Sequence, residues 1–367
     1  MSSSLPQGWE EKELIEFIDF NPKESIKKGT VSKSIPMACL SEYCKTISEY
    51  EEKEFKGGTK FRNGDTLLAR ITPCLENGKT AFVDFLDEKE VAFGSTEYIV
   101  LREKEKISDR HFIYYLSISP QFREIAIKSM TGSSGRQRVQ NDVLFKEKFI
   151  LPSDISEQKR IADILSAFDD KIELNNQMNQ TLENIATALF IDSLSDKESF
   201  METTLDDLVD IKYGKDHKHL DDGTMPLYGS GGIMRFVNDF LYDKESILIP
   251  RKGTLGNLFF IQKPFWTVDT IFYTEIDTTK VIPIYLYYLL KRFDLANLNV
   301  GSAVPSLTKQ ALNALKLEIP NIIVQKKVSD ILASLHNKIL GNIEENQTLK
   351  KQRDTLLPKL MSGEIRV

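Results

Sequence analysis

The sequence predicts an α/β (α+β) fold with a pseudo-two-fold internal repeat: two domains of one fold, separated by two long antiparallel coiled-coil helices. Three observations predict it. The stretch Gln158 to Phe190, QKRIADILSAFDDKIELNNQMNQTLENIATALF, returns at a constant offset and without a gap as QKKVSDILASLHNKILGNIEENQTLKKQRDTLL, Gln325 to Leu357. Both copies carry one heptad seam, and the segment before each reads as the same succession of strands, turns and a helix. The identities include Gln158 with Gln325, Leu165 with Leu332, Lys171 with Lys338, and the run NQTL at 179–182 and 346–349. That density of matches marks a tandem duplication.

The first domain is expected over residues 1–151. GDTLLARITPCLENGKTAFVD, Gly64 to Asp84, reads as two strands joined by a turn at Glu76-Asn77-Gly78, and STEYIVLR as a third strand. A helix, ISDRHFIYYLSISPQFREIA, follows, then the polar loop TGSSGRQRVQ (Thr131 to Gln140) and a last strand ending at Pro152. The first spacer helix takes residues 152–195, with Ser153 or Ser156 as its cap. The second domain, 196–319, repeats the order with KESILIPRKGTLGNLFFIQ, TVDTIFYTE, VIPIYLYYLLKRFDLANL and the loop VGSAVPSLTKQ, Val300 to Gln310. Residues 320–367 hold the second spacer helix and the C-terminal tail.

Stepping alternately by four and three, the first seam reads Ile161, Leu165, Phe168, Ile172, Asn175, Asn179, Leu182, Ala186 and Leu189. The second reads Val328, Leu332, Leu335, Ile339, Asn342, Asn346, Leu349, Arg353 and Leu356. Apolar residues at this spacing share one side of a long helix, and Gly341 alone interrupts the good helix formers of the second copy, at about 1 kcal/mol against alanine. A helix of about 35 to 40 residues is on the order of 55 Å long, too long for one ordinary core, so the two copies are expected to pack against each other. Polar seam residues fix register. In an antiparallel pair Asn175 should face Asn346, and Asn179 should face Asn342. Because the seams match at most layers, residues 1–195 alone are expected to pair with a second copy of themselves.

Composition sets the class. A chain of 367 residues with 41% hydrophobic content builds real cores. The most apolar run, Ile282 to Leu290, is too short to span a membrane, and the N-terminus lacks the basic start and apolar stretch of a signal peptide. Cys39, Cys44 and Cys74 form no CxxC pair, so the expected setting is the reducing cytoplasm, with no membrane partner. The net charge of −6 argues against nucleic-acid binding by total charge. Counterion release responds to the cations at the contact face, however, and Lys56 to Lys79 and Arg123 to Lys148 both carry a local basic excess.

No catalytic constellation stands out. His111, His217, His219 and His336 have no metal-ligand spacing, so no metal site is expected. Asp65, with Glu76 and Lys79 near it in sequence, reads better as a turn cap than as a nuclease cluster, and Tyr228-Gly229-Ser230-Gly231-Gly232 precedes no helix that could hold a phosphate. What remains is a set of basic and amide side chains in equivalent loops: Arg70, Lys79, Arg136, Gln137 and Arg138 in the first domain, Arg251, Lys252, Asn257, Ser306 and Lys309 in the second. Arginine and the amides suit guanine and adenine edges, lysine and serine suit phosphates. These are the candidate DNA-binding residues.

A domain, a proline and a long helix of the form Q-x-x-I-x-x-I-L-x-x-x-D, repeated once and closed by LLPKLMSGEIRV, resemble the specificity subunit of type I restriction-modification enzymes over the whole chain. The resemblance implies two target-recognition domains that each read one half of a split double-stranded DNA target, with the helices as an antiparallel spacer. It implies docking of two modification subunits and of restriction subunits, which would carry S-adenosylmethionine, ATP and Mg, while this chain holds no cofactor and no catalytic residue. A stand-alone methyltransferase or nuclease would need motifs the chain lacks, and a pure coiled-coil adaptor would leave the matched basic loops unexplained.

Overall fold

The computed structural model describes residues 5–133, 135–195, 200–298 and 306–367. Ser134 of the first polar loop and residues 300–305 of the second lie outside them. The chain forms two compact units, Met1–Asn176 with Ile343–Val367, and Gln177–Asn342.

In the first unit, β1 (Trp9–Glu13) leads through α1 (Leu14–Phe17) into β2 (Ile18–Phe20), followed by β3 (Val31–Ile35), β4 (Glu51–Glu54), β5 (Thr59–Arg62), β6 (Thr66–Ala69), β7 (Thr80–Phe82), β8 (Val91–Gly94) and β9 (Tyr98–Glu103). After these come α2 (Arg110–Ile118), α3 (Pro120–Lys128), α4 (Asn141–Phe145), β10 (Lys148–Pro152) and the spacer helix α5 (Ile155–Asp192). One sheet has the order β2-β9-β6-β7, a second β4-β3-β8-β5, and β1 pairs with β10. β6 is buried along its whole length, and β9 from Tyr98 to Arg102, because both faces of the first sheet are covered. Alternation then divides their residues between two cores. Leu68, Ile99 and Leu101 pack with Phe112 and Tyr115 of α2, whereas Leu67 and Val100 pack with Ile35 and Phe61 of the second sheet.

The second unit repeats this plan with β11 (Phe200–Thr204), α6 (Leu205–Leu208), β12 (Val209–Tyr213), β13 (Asp222–Gly229), β14 (Gly232–Val237), β15 (Ser246–Pro250), β16 (Phe259–Ile261), β17 (Trp266–Thr267) and β18 (Ile271–Ile276). Then follow α7 (Pro283–Leu290), α8 (Lys309–Asn313), β19 (Lys316–Pro320) and the second spacer helix α9 (Ile322–Met361). The sheet order β12-β18-β15-β16 mirrors β2-β9-β6-β7 strand for strand, and β11 pairs with β19 as β1 does with β10. Even the parallel pair recurs, β3 with β8 and β13 with β17.

Each unit closes on half of each long helix. Ile161 and Leu165 of α5 join Leu357 and Leu360 of α9 in the first core, and Ala186 and Phe190 of α5 join Val328 and Leu332 of α9 in the second. Each unit also holds one asparagine pair. Asn175 donates to Asn346 Oδ1 at 2.8 Å within the first unit, and Asn342 donates to Asn179 Oδ1 at 2.7 Å within the second.

Three local details depart from the sequence reading. The helix expected after β9 is two, α2 and α3, because Ser119 ends one and caps the next with Pro120 at its first position. The caps of the spacer helices are Asp154, which accepts from Ser156 N, and Asn321, which accepts from Ile323 N and Val324 N, in place of Ser153 or Ser156. Lys309 opens the short helix α8 and is not in a loop. Asp65 is structural: fully buried, it accepts from Arg62 N and takes a bidentate bond from Arg102 at 2.7 and 2.8 Å.

The repeated glutamine anchors each helix to its domain. Gln158 accepts from Asp109 N and donates to Ile107 O and Pro152 O, at 2.8, 3.0 and 2.9 Å. Gln325 accepts from Ile282 N and donates to Lys280 O and Pro320 O, at 2.8, 3.3 and 2.9 Å. Both side chains are fully buried. One amide thus ties together the loop before α2 or α7, the last strand and the helix start, which is why the sequence keeps a glutamine at both places.

Candidate nucleic-acid interface

In the first unit the polar loop after α3 folds back along the end of β6. Val139 N donates to Arg70 O, Thr72 N to Gln137 O, and Arg138 pairs with Thr131 through both backbone groups. Arg70, Arg136, Gln137 and Arg138 are thereby gathered at one end of the first sheet. Lys79 joins the same edge through Ala69 N, which donates to its carbonyl.

In the second unit Leu307 N donates to Arg251 O, the counterpart of the bond from Val139 to Arg70. The loop after β15 is held against the β13–β14 hairpin, where Asn257 donates to Ser230 O at 3.1 Å. Gly253, at φ +81, approaches so closely that a Cβ there would lie 2.8 Å from Ser230 Oγ. That turn requires glycine.

The candidates divide by what their side chains already hold. Arg138 makes a bidentate pair with Glu97, at 2.7 to 3.0 Å, and holds its carboxyl below the usual glutamate range. Arg70 donates to Val139 O, Lys79 to Met37 O, and Lys309 to Asp210. Arg251 lies with its guanidinium 5.2 Å from the Tyr213 ring centre and 5.6 Å from that of Phe272. These five shape the loops. Arg136 and Lys252 are exposed and Gln137 half-buried, and the side chains of these three make no hydrogen bond or ion pair among the described residues. Arg70 and Arg251 share one further feature: the Nε of each is buried and without a hydrogen-bond partner among the described residues. Glu97, Ser230 and Asp210, which hold the candidate side chains in place, were not legible from the sequence, since their contacts are made across the fold.

The type I restriction modification DNA specificity domain matches residues 6–184 and 197–351, once for each repeat. The chain belongs to that family. The specificity subunit of the EcoAI enzyme of Escherichia coli is 32% identical over 211 residues, covering 56% of this chain and 34% of that protein. The chain thus aligns with about a third of the length of the EcoAI and EcoEI subunits. The MjaVIII specificity subunit of Methanocaldococcus jannaschii is 25% identical over 339 residues, covering 80% and 78% of the two chains. Among solved structures, the type I S subunit from M. genitalium superposes with a TM-score of 0.67 at 19% identity, over 98% of this chain and 97% of that one. That likeness establishes the fold shared by the specificity subunits. Among the described residues no helix is long and apolar enough to cross a membrane, and no group of three or more His, Cys, Asp or Glu is placed to hold a metal.

Proposed function

We propose that this specificity subunit reads a bipartite double-stranded DNA target, one half with each domain, and that α5 and α9 set the spacing and dock modification subunits. The observation that carries the reading is the matched pair of loops: Arg70 and Arg251 stand at equivalent strand ends, each bonded through its carbonyl to the returning polar segment. Two domains of one fold with different residues at that place suit two different half-sites. Arg136 and Gln137 are the base-reading candidates of the first half, Lys252 and Asn257 those of the second; Arg70, Lys79, Arg138, Arg251 and Lys309 hold the loops, with Ser306 toward phosphates. Methyl transfer with S-adenosylmethionine, and cleavage with ATP and Mg, belong on this reading to the modification and restriction partners.

Arg136→Ala with Gln137→Ala is expected to weaken binding by roughly 1–3 kcal/mol for each base edge no longer read, and only toward DNA with an intact first half-site. Lys252→Ala with Asn257→Ala should do the same for the second. Titrations of the assembled complex against duplexes with one half scrambled check this at several salt concentrations. Wild-type affinity in both variants would remove these loops from the reading surface.

If the helices set the gap, one heptad inserted into each at equivalent points adds about 10 Å, or roughly three base pairs. The preferred target should then keep its two half-sequences and widen between them. An unchanged gap would show that the helices do not set it.

A further inference from the structure

The edge strand β14 exposes three large apolar side chains within four residues, Ile233, Met234 and Phe236, at 46%, 58% and 49%. Single exposed apolar residues are ordinary, but an apolar edge strand is a liability that proteins manage with charge. The first unit does so: its equivalent edge strand, β4, reads Glu51-Glu52-Lys53-Glu54 and is exposed throughout. In β14 the exposure has a built cause. Leu227 of β13 faces Arg235 and Tyr228 faces Ile233, so Met234 is an extra residue, a β-bulge, and a bulge re-aims a side chain. Arg235 fixes the strand by donating from Nη2 to His217 O and Leu220 O, at 3.0 and 2.9 Å. Met234 lies across the hairpin turn, where a Cβ at Gly229 would come within 2.6 Å of its Sδ. The next residue, Ser230, takes the hydrogen bond from Asn257 and closes on Gly253. The thioether and the loop that presents Lys252 and Asn257 thus flank one turn.

We propose that Met234 is a specificity-determining residue of the second half-site and reads a thymine there through its C5-methyl group. This rests on the half-site reading above and adds to it one side chain and one base. A thioether has no hydrogen to donate and no charge for a phosphate, so what it recognises is an apolar group. In unmodified DNA the thymine methyl is the apolar group on a base edge that carries sequence information, and it lies in the major groove, which admits a two-stranded β-ribbon such as β13–β14. The flexible, polarisable methionine chain adapts to such a contact. Lys252 and Asn257 beside it supply the polar contacts that a methyl-reading side chain lacks. The carboxylates of β4 offer no equivalent surface, so this contact belongs to the second half alone.

The test titrates the assembled complex with the duplex target defined by its methylated sites. It is repeated with each thymine of the second half, on either strand, replaced in turn by deoxyuridine, which removes only the methyl group. One replacement is expected to weaken binding about three- to tenfold for the parent, and less than about twofold for Met234→Ala. Replacements in the first half should affect both complexes alike. A parent that binds a scrambled second half as tightly as the target would remove the half-site reading itself, and this inference with it. With that reading intact, a second half without thymine, a parent indifferent to every replacement, or a Met234→Ala complex that keeps the parent's sensitivity would overturn the inference. So would a Met234→Ala chain that no longer assembles with modification subunits, which would assign the edge to a protein partner.

Discussion

Residues 1–195 expressed alone are expected to remain monomeric in light scattering at tens of micromolar, and the same fragment carrying Ala186→Arg to form a dimer. The matching seams alone predict the opposite for the unaltered fragment. Self-pairing would satisfy the asparagine layers, but it would set Phe190, Ser193 and Leu194 where Leu357, Leu360 and Met361 stand in the first core, and would leave both Asp169 carboxylates without the guanidinium that Arg353 supplies. Each such loss costs roughly 3–5 kcal/mol, and the two-fold symmetry of a homodimer counts it twice. Ala186→Arg returns a cation to each site. A parent fragment that dimerises as tightly as its Ala186→Arg variant would show that the seam accepts a second copy regardless of charge.

Gln158→Leu is expected to destabilise the chain by roughly 3 kcal/mol or more, and Gln325→Leu by a similar amount. Leucine keeps the volume but leaves one buried amide N–H and two carbonyls without the partners that the glutamine provides, and orphaned buried groups cost about 1–3 kcal/mol each. The double substitution should be near additive, because the two glutamines share no hydrogen-bond partner. Urea midpoints of the three variants measure this. Midpoints unchanged from the parent would mean that other groups or water take over these bonds.

The repeat, the seam and the shared succession of hairpin, strand, helix and last strand were legible because duplication writes them twice and helix periodicity needs only local sequence. Gly64 to Asp84 and Lys244 to Gln262 each announce a hairpin-like pair around polar turn residues, and β6 pairs with β7 and β15 with β16; the order of the strands in the sheets depends on partners distant along the chain and was not legible. The sequence lost sight of features decided by partners distant along the chain. Ser119 reads as one more helical serine until its side chain is seen capping α3. The pairing of Arg138 with Glu97 across the sheet end, and of Lys309 with Asp210, is not written in the local sequence. Arg353 reads as a blemish in an apolar seam, and only the antiparallel pairing, which brings it to Asp169, makes it a matched charge.

Division of the target between the two domains is read out by the sequence of methylated sites in cells that carry this chain with a modification subunit, compared with cells carrying the Lys252→Ala, Asn257→Ala form. The expected result is one interrupted target of two unlike halves for the parent, and for the variant the same first half and gap with a relaxed second half. A parent target without an interruption, or a variant in which both halves change together, would contradict the assignment of one half-site to each domain.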